Sequence, residues 1–233
     1  MALYYQLWHW FFYLLAVSIW LQAPLESLLF VLGVQLKVIC LSGGLASGKS
    51  TASKFLQEHG ADIIDADRLG HRAYDPGTQA FRKVIDTFGE DVVTDENQID
   101  RKVLGGKVFG QPDELKKLTD IVWPEIRRLA ELEISCFEAL NPDATVVLEA
   151  AVLFEAGWDD IGDEIWVVVV DRETAIERSI SRDGLEREAV ESRLNSQLSN
   201  EERTAKATVV IDNNSTPEAM REQLEQQWQR FSG

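Results

Sequence analysis

A strand-forming run, Val38-Ile39-Cys40-Leu41, gives way to Gly43-Gly44-Leu45-Ala46-Ser47-Gly48-Lys49-Ser50, and helical spacing resumes at once. The pattern G-x-x-x-x-G-K-[ST] between a strand and a helix is the form of a phosphate cradle, or P-loop. Its glycines let the main chain curl so that successive N–H groups point at one anion, and the amino end of the next helix adds favourable partial charge. In that arrangement Lys49 reaches the β- and γ-phosphates of ATP, and Ser50 offers a hydroxyl to Mg²⁺. Gly43, Gly44, Ala46, Ser47, Gly48, Lys49, Ser50 and Thr51 are therefore the candidate nucleotide contacts. The plainer alternative is a glycine-rich turn before a capped helix, with Ser50 and Thr51 as ordinary first-turn residues. With every fixed position filled directly after a strand, the cradle is the better reading.

A cradle of this kind needs a parallel sheet behind it, and the rest of the chain supplies one. Lys37 to Leu41, Asp62 to Ile64, Thr145 to Leu148, Ile165 to Val170 and Val209 to Ile211 read as strands. Their continuous apolar character suits a sheet covered on both faces. Helical spacing follows several of them, which predicts an α/β fold: a doubly wound parallel sheet of about five strands. Arg68 to Asp143 reads as mostly helical, with turns at Asp75-Pro76-Gly77, Gly105-Gly106, Gln111-Pro112 and Asn141-Pro142. The expected organisation is a nucleotide-binding core (38–67, 143–176 and 206–233), a helical insertion (68–142) and a helical lid (177–205).

Composition narrows the partners. With 45% apolar residues in 233, the chain has material for a substantial core. A formal charge of -16 argues against a nucleic-acid surface, which needs clustered excess Lys and Arg. An acidic protein still binds a small polyanion where a few basic groups and main-chain amides converge. Cys40 and Cys136 cannot form a multi-bridge framework, so a reducing, cytoplasmic or cytosol-facing compartment is expected. His9, His59 and His71 lack the spacing of a zinc site. Residues 1–37 stand apart: Leu3 to Leu21 is apolar or aromatic except at Gln6, His9 and Ser18. As a helix it would reach roughly 28 Å, near a bilayer's hydrocarbon thickness. No Lys or Arg precedes it, so the charged start of a secretory signal is missing. Membrane anchor and non-native extension are equal readings, and membrane contact is expected only through 3–21.

Two strand tips carry acids. Asp65-Ala66-Asp67 follows Ile63-Ile64, at the edge where open parallel sheets collect ligands, so one carboxylate can take a proton from an acceptor hydroxyl. The alternative is an Asp pair that caps the next helix. Val146-Val147-Leu148 ends in Glu149, near the expected magnesium position, where it would act through water. Further on, Arg178 and Arg182 stand at i and i+4 on one helical face, suited to close over a phosphoryl group. For Arg187 and Arg193 an exposed face laced with salt bridges is the preferred reading. Asp67-Arg68-Leu69-Gly70 fits the loose D-x-x-G of GTPases, but no Asn-Lys-x-Asp follows.

Taken together, the cradle, Asp65-Ala66-Asp67 and the Arg-bearing helix resemble the dephospho-CoA kinase family. His71-Arg72-Ala73-Tyr74, Arg101-Lys102-Val103-Leu104-Gly105, Asp120-Ile121-Val122-Trp123-Pro124, Glu155-Ala156-Gly157-Trp158 and Arg182-Asp183-Gly184-Leu185 look like the kinase domain of eukaryotic bifunctional CoA synthase. The resemblance runs from about Val38 to the carboxyl end. It implies a CoA-binding insertion, a mobile lid, Asp67 as base and Arg178 as lid arginine. It also implies Asp212-Asn213-Asn214 near the nucleotide base, with Asn213 and Asn214 as contacts. Arg72, Arg101 and Lys107 are the candidate grips on dephospho-CoA. Ser42, Trp123 and Ala151 depart from the family's common Thr, His and Pro without removing a chemical group used here. The residues ahead of Val38 are too few for a second catalytic domain, so one activity is expected. Rival readings are another small-molecule or nucleoside monophosphate kinase, and a membrane-tethered ATP-binding module without catalysis.

Overall fold

The structure is a computed structural model, and it describes residues 36–232. Five strands, β1 (Lys37–Gly43), β2 (Asp62–Asp65), β3 (Thr145–Glu149), β4 (Glu164–Val169) and β5 (Val209–Asp212), form one parallel sheet in the order β2-β3-β1-β4-β5. The expected strands agree with these to within a residue or two, the usual uncertainty at element ends.

Alternation along the strands sorts the core into two layers. Ile39, Leu41, Val147, Trp166, Val168 and Ile211 point to one face and meet α1 (Lys49–Glu58) and the carboxyl-terminal helix Pro217–Ser232 through Phe55, Leu56, Met220 and Leu224. Val38, Cys40, Ile64, Val146 and Leu148 point to the other. There they meet α2 (Ala66–Arg72), α3 (Gln79–Phe88), α4 (Arg101–Val108) and α5 (Pro112–Leu140). Helices α2, α3 and α4 all pack against α5. Burial on both faces explains why the strands read as unbroken apolar runs.

The connection between β2 and β3 is helical as expected, with one difference. Gly105-Gly106 is not a turn but lies inside α4. Asp100 caps that helix, its carboxylate accepting from Lys102 N and Val103 N, while Leu104 and Val108 are buried. Capping and burial outweigh the roughly 1 kcal/mol that each glycine costs a helix. Gln111 and Asn141 flank α5, with Pro112 in its first turn, where a missing N–H costs nothing.

Between β4 and β5 lie α6 (Arg172–Asp183), α7 (Arg187–Asn195) and α8 (Asn200–Thr204), followed by α9, the carboxyl-terminal helix Pro217–Ser232. Helix α6 is already regular from Arg172, because Asp171 caps it by accepting from Thr174 N at 2.9 Å, so position 177 falls within a helix. No helix among the described residues is long and apolar enough to cross a membrane. The apolar stretch 3–21 lies outside the described residues.

Candidate active site

Strand register assembles the site. Leu41 of β1 pairs with Glu149, and Glu149 pairs in turn with Asp65, so the tips of β1, β3 and β2 stand side by side. The loop Gly43–Gly48 leaves the central tip and curls back on itself, with Ser47 N donating to Gly44 O at 3.2 Å. Two glycines are required there. A side chain on Gly43 would stand 2.8 Å from the Val168 carbonyl, and Gly48 has φ of 100° with Asn213 Nδ2 where its Cβ would go. Gly48 offers no side-chain cap to α1, which leaves that helix's first amides for an anion.

A cleft of about 840 Å³ opens over this loop. Gly43, Gly44, Ala46, Ser47, Gly48, Lys49, Ser50, Thr51, Asp67, Arg178, Arg182 and Asn213 all line it. The predicted cradle, acid and lid arginines are thus gathered at one place. Lys49 Nζ rests on Glu149 Oε1 at 2.5 Å, so the cation is already balanced by the carboxylate at the neighbouring strand tip. Asn213 is buried; its Nδ2 donates to Ser47 O at 2.8 Å, and its own carbonyl accepts from Arg178 Nη2 at 3.1 Å. Asn213 therefore ties the phosphate loop, through its side chain, to helix α6, through its main-chain carbonyl. Arg182 also faces the cleft, but its guanidinium holds Asp183 at 2.7 Å. That hydrogen bond holds the Asp183 carboxyl below the usual carboxylate range, with Arg193 adding a weaker pull.

The capping reading of Asp65-Ala66-Asp67 applies to one carboxylate, and the other is placed differently. Asp65 caps α2, accepting from Asp67 N at 2.9 Å and Arg68 N at 3.3 Å. Asp67 is left exposed in the first turn and lines the cleft. It also lines a second cleft of about 500 Å³, walled by His71, Tyr74, Val122, Trp123, Ile126 and Trp158 from the connection between β2 and β3 and the turn after β3. Asp67 is the residue common to the two linings.

Other expected residues sit elsewhere. Asn214 lines neither cleft; its Oδ1 accepts from Asp171 N at 2.7 Å. Lys107 donates to Phe88 O and Asp91, which fastens α4 to the end of α3. Arg72 is paired with Glu133 on α5. Arg101 stacks on Tyr74 and donates to the His71 carbonyl, so it braces two wall residues of the second cleft. Arg187 is held by Glu173 and Glu191, a surface network of the kind the sequence suggested. Sequence reasoning missed Gln197, which lines the phosphate cleft and accepts from Leu45 N at 3.1 Å. No motif marks it.

The dephospho-CoA kinase family model matches residues 37–218. The chain is 45% identical over 193 residues to the dephospho-CoA kinase of Geobacter sulfurreducens, covering 83% of this chain and 98% of that protein. The chain belongs to the dephospho-CoA kinase family. A second family member, from Carboxydothermus hydrogenoformans, is 43% identical across 81% of this chain and 91% of its own length. The dephospho-CoA kinase structure from Campylobacter jejuni superposes with a TM-score of 0.64 at 27% identity, covering 84% of this chain and 96% of that one. A Thermus thermophilus crystal structure gives 0.70 at 31% identity, covering 85% and 100%. The P-loop kinase fold and an ATP-dependent kinase activity come with dephospho-CoA kinase membership.

The donors present suit magnesium of the kind kinases use. Among the described residues there is no group of three or more His, Cys, Asp or Glu able to cage an ion. Mg²⁺ needs no such cage, since it keeps waters and takes substrate phosphates plus one or two protein oxygens. The Ser50 hydroxyl, exposed in the cleft, and Glu149 beside Lys49 match that modest requirement.

Proposed function

We propose that the protein transfers the γ-phosphate of ATP to the ribose 3'-hydroxyl of dephospho-CoA, with Asp67 as the base. The observation that carries this reading is the position of Asp67 between two clefts, one over the phosphate loop and one between the helices that follow β2. An acid shared by a phosphate pocket and a second, largely apolar pocket is suited to accept a proton from a hydroxyl held in the second while phosphate passes from the first. The loop amides and Lys49 hold the triphosphate; Ser50 directly and Glu149 through water would hold Mg²⁺, which neutralises phosphate charge when bound. For Lys49 to serve the phosphates it must exchange its Glu149 partner for them. Arg178 and Arg182 close over the transferring group, and exclusion of water suppresses ATP hydrolysis.

The same reading divides the chain into a nucleotide-binding core (38–67, 143–176, 206–233), an acceptor-binding insertion (68–142) and a lid (177–205). In the insertion, Trp123 and Tyr74 offer flat faces for the acceptor, backed by buried Trp158 of the core, with Arg101 stacked on Tyr74 and Arg72 a further candidate grip. Lys107, engaged with Asp91, holds helix α4 and is assigned no substrate contact. Membrane attachment, if present, belongs to 3–21, and fractionating cells with and without that segment tests it. The decisive assay couples ADP release to dephospho-CoA as acceptor, against a panel of nucleoside monophosphates. Release with dephospho-CoA alone supports the assignment, whereas faster release with a monophosphate replaces it.

A further inference from the structure

Beside the phosphate loop lies an ion pair that the reaction as described does not use. Arg203 of α8 is only 1% exposed, and its Nη2 donates to Glu155 Oε1 at 3.0 Å. Its Nη1 donates to the Leu198 carbonyl at 3.1 Å, while Glu155 Oε1 also accepts from Leu198 N at 3.4 Å. One acid and one base thus hold both main-chain polar groups of a single residue. Neither ion is saturated, since Glu155 Oε2 and Arg203 Nε are buried without a partner. A pair with a fully buried arginine and unmet capacity is poor value as a stabiliser, because well-packed apolar side chains often do as well or better. Its effect is geometric. Gln197, the neighbour of Leu198, turns its Oε1 to the Leu45 N–H within the phosphate loop. Gln197 Oε1 and Arg203 Nη1 also lie 3.8 and 3.7 Å from where a Gly44 Cβ would stand, so both crowd the outside of the loop.

We propose that Gln197 is a positioning residue for the phosphate loop, held in register by the pairing of buried Arg203 with Glu155. The segment returning from α7 to the core and the curvature of the loop are thereby set together. This rests on the kinase reading for its purpose but not for its measurement. A loop amide held by Gln197 is not free to swing, so the remaining amides meet the phosphates without an ordering cost at binding. The consequence falls on nucleotide affinity and leaves the acceptor cleft, whose lining contains none of these three residues, untouched.

The test uses the full chain and MgADP, titrated by calorimetry, beside steady-state KM values for ATP and dephospho-CoA. Gln197→Leu removes the acceptor at a half-buried site, and MgADP binding weakens by about tenfold with the thermal midpoint unchanged. Gln197→Glu keeps the acceptor but sets a negative charge beside the phosphates, so its loss of affinity deepens as salt is lowered. Arg203→Met weakens MgADP in the same direction and leaves KM for dephospho-CoA alone. Should that variant not fold, Gln197→Leu decides. Unchanged MgADP affinity in folded Gln197→Leu overturns the proposal, and so does an equal rise in both KM values. Failure of the kinase reading looks different: no dephospho-CoA-dependent ADP release by the unaltered chain, with the MgADP titrations still interpretable.

Discussion

Under the proposed function Lys49 and Asp67 have different work, and their replacements separate the two. Lys49 carries a charge that Glu149 balances, and in that reading the phosphates take it over. Lys49→Met removes an electrostatic contact to the transferring group, and kcat falls by about 10²-fold or more while circular dichroism shows the fold intact. Asp67→Asn keeps the size and the exposed position but cannot take a proton; turnover drops about 10² to 10⁴-fold with KM for ATP little changed. Near-normal turnover in Asp67→Asn would remove the base assignment and leave only the binding clefts. These residues were legible because local pattern and strand position announce them. Gln197 and Arg203 were not: an isolated Gln and a helical Arg carry no spacing signal, and only the turn of the chain after α7 brings them to the loop.

Individual elements carry chemistry that can be read without substrate. Cys40 sits in the middle of β1 with no exposed surface, and burial pushes its thiol up to about 12, while Cys136 on α5 is exposed. A thiol reagent at pH 8 is therefore expected to titrate one cysteine per native chain and two after unfolding. Two rapid equivalents from native protein would show that the centre of the sheet opens freely. Because Cys40 stays protonated in the fold but ionises near 9 when unfolded, its contribution is complete below pH 9 and is lost as pH rises toward 12.

Glu164, at the start of β4, is bound by Arg230 of α9 and by the Trp166 indole, and the Arg230 hydrogen bond holds its carboxyl below the ordinary 4.5. Its contribution is present above about pH 4.5 and disappears as pH falls through the depressed value. Half of Arg230 is exposed, so screening limits the pair to about 0.5–1 kcal/mol. Glu164→Gln is expected to lower the urea midpoint at pH 7, with the gap to the parent narrowing as pH falls below 4.5; a gap that stays constant under acid would assign the effect to packing.

At the scale of the whole molecule, net charge and site charge point in opposite directions. A chain at -16 brings Lys49, Arg178 and Arg182 into one cleft, so its attraction for a polyanion is local. Family similarity starts at residue 37, where Lys37 N donates to Ala144 O at 3.1 Å, and Leu36 is buried. A protein starting at Leu36 is therefore expected to match the full chain in kcat and in KM for both substrates. A loss of more than about tenfold in kcat/KM, some 1.4 kcal/mol, would make the leading segment part of the enzyme.

By itself the sequence determined the parallel sheet, the cradle after its first strand, the acid at the second strand tip and the arginine-bearing helix. Each of these is written in residues close together along the chain, where steric and periodic rules act directly. Three things were decided only by the tertiary structure: which of Asp65 and Asp67 caps and which faces the clefts, the partners that Lys107 and Asn214 find in Asp91 and Asp171, and the Gln197–Leu45 contact. They depend on strand order and on loops that return from far along the chain. A side chain's partner in such cases is set by packing between distant segments, which no local spacing encodes.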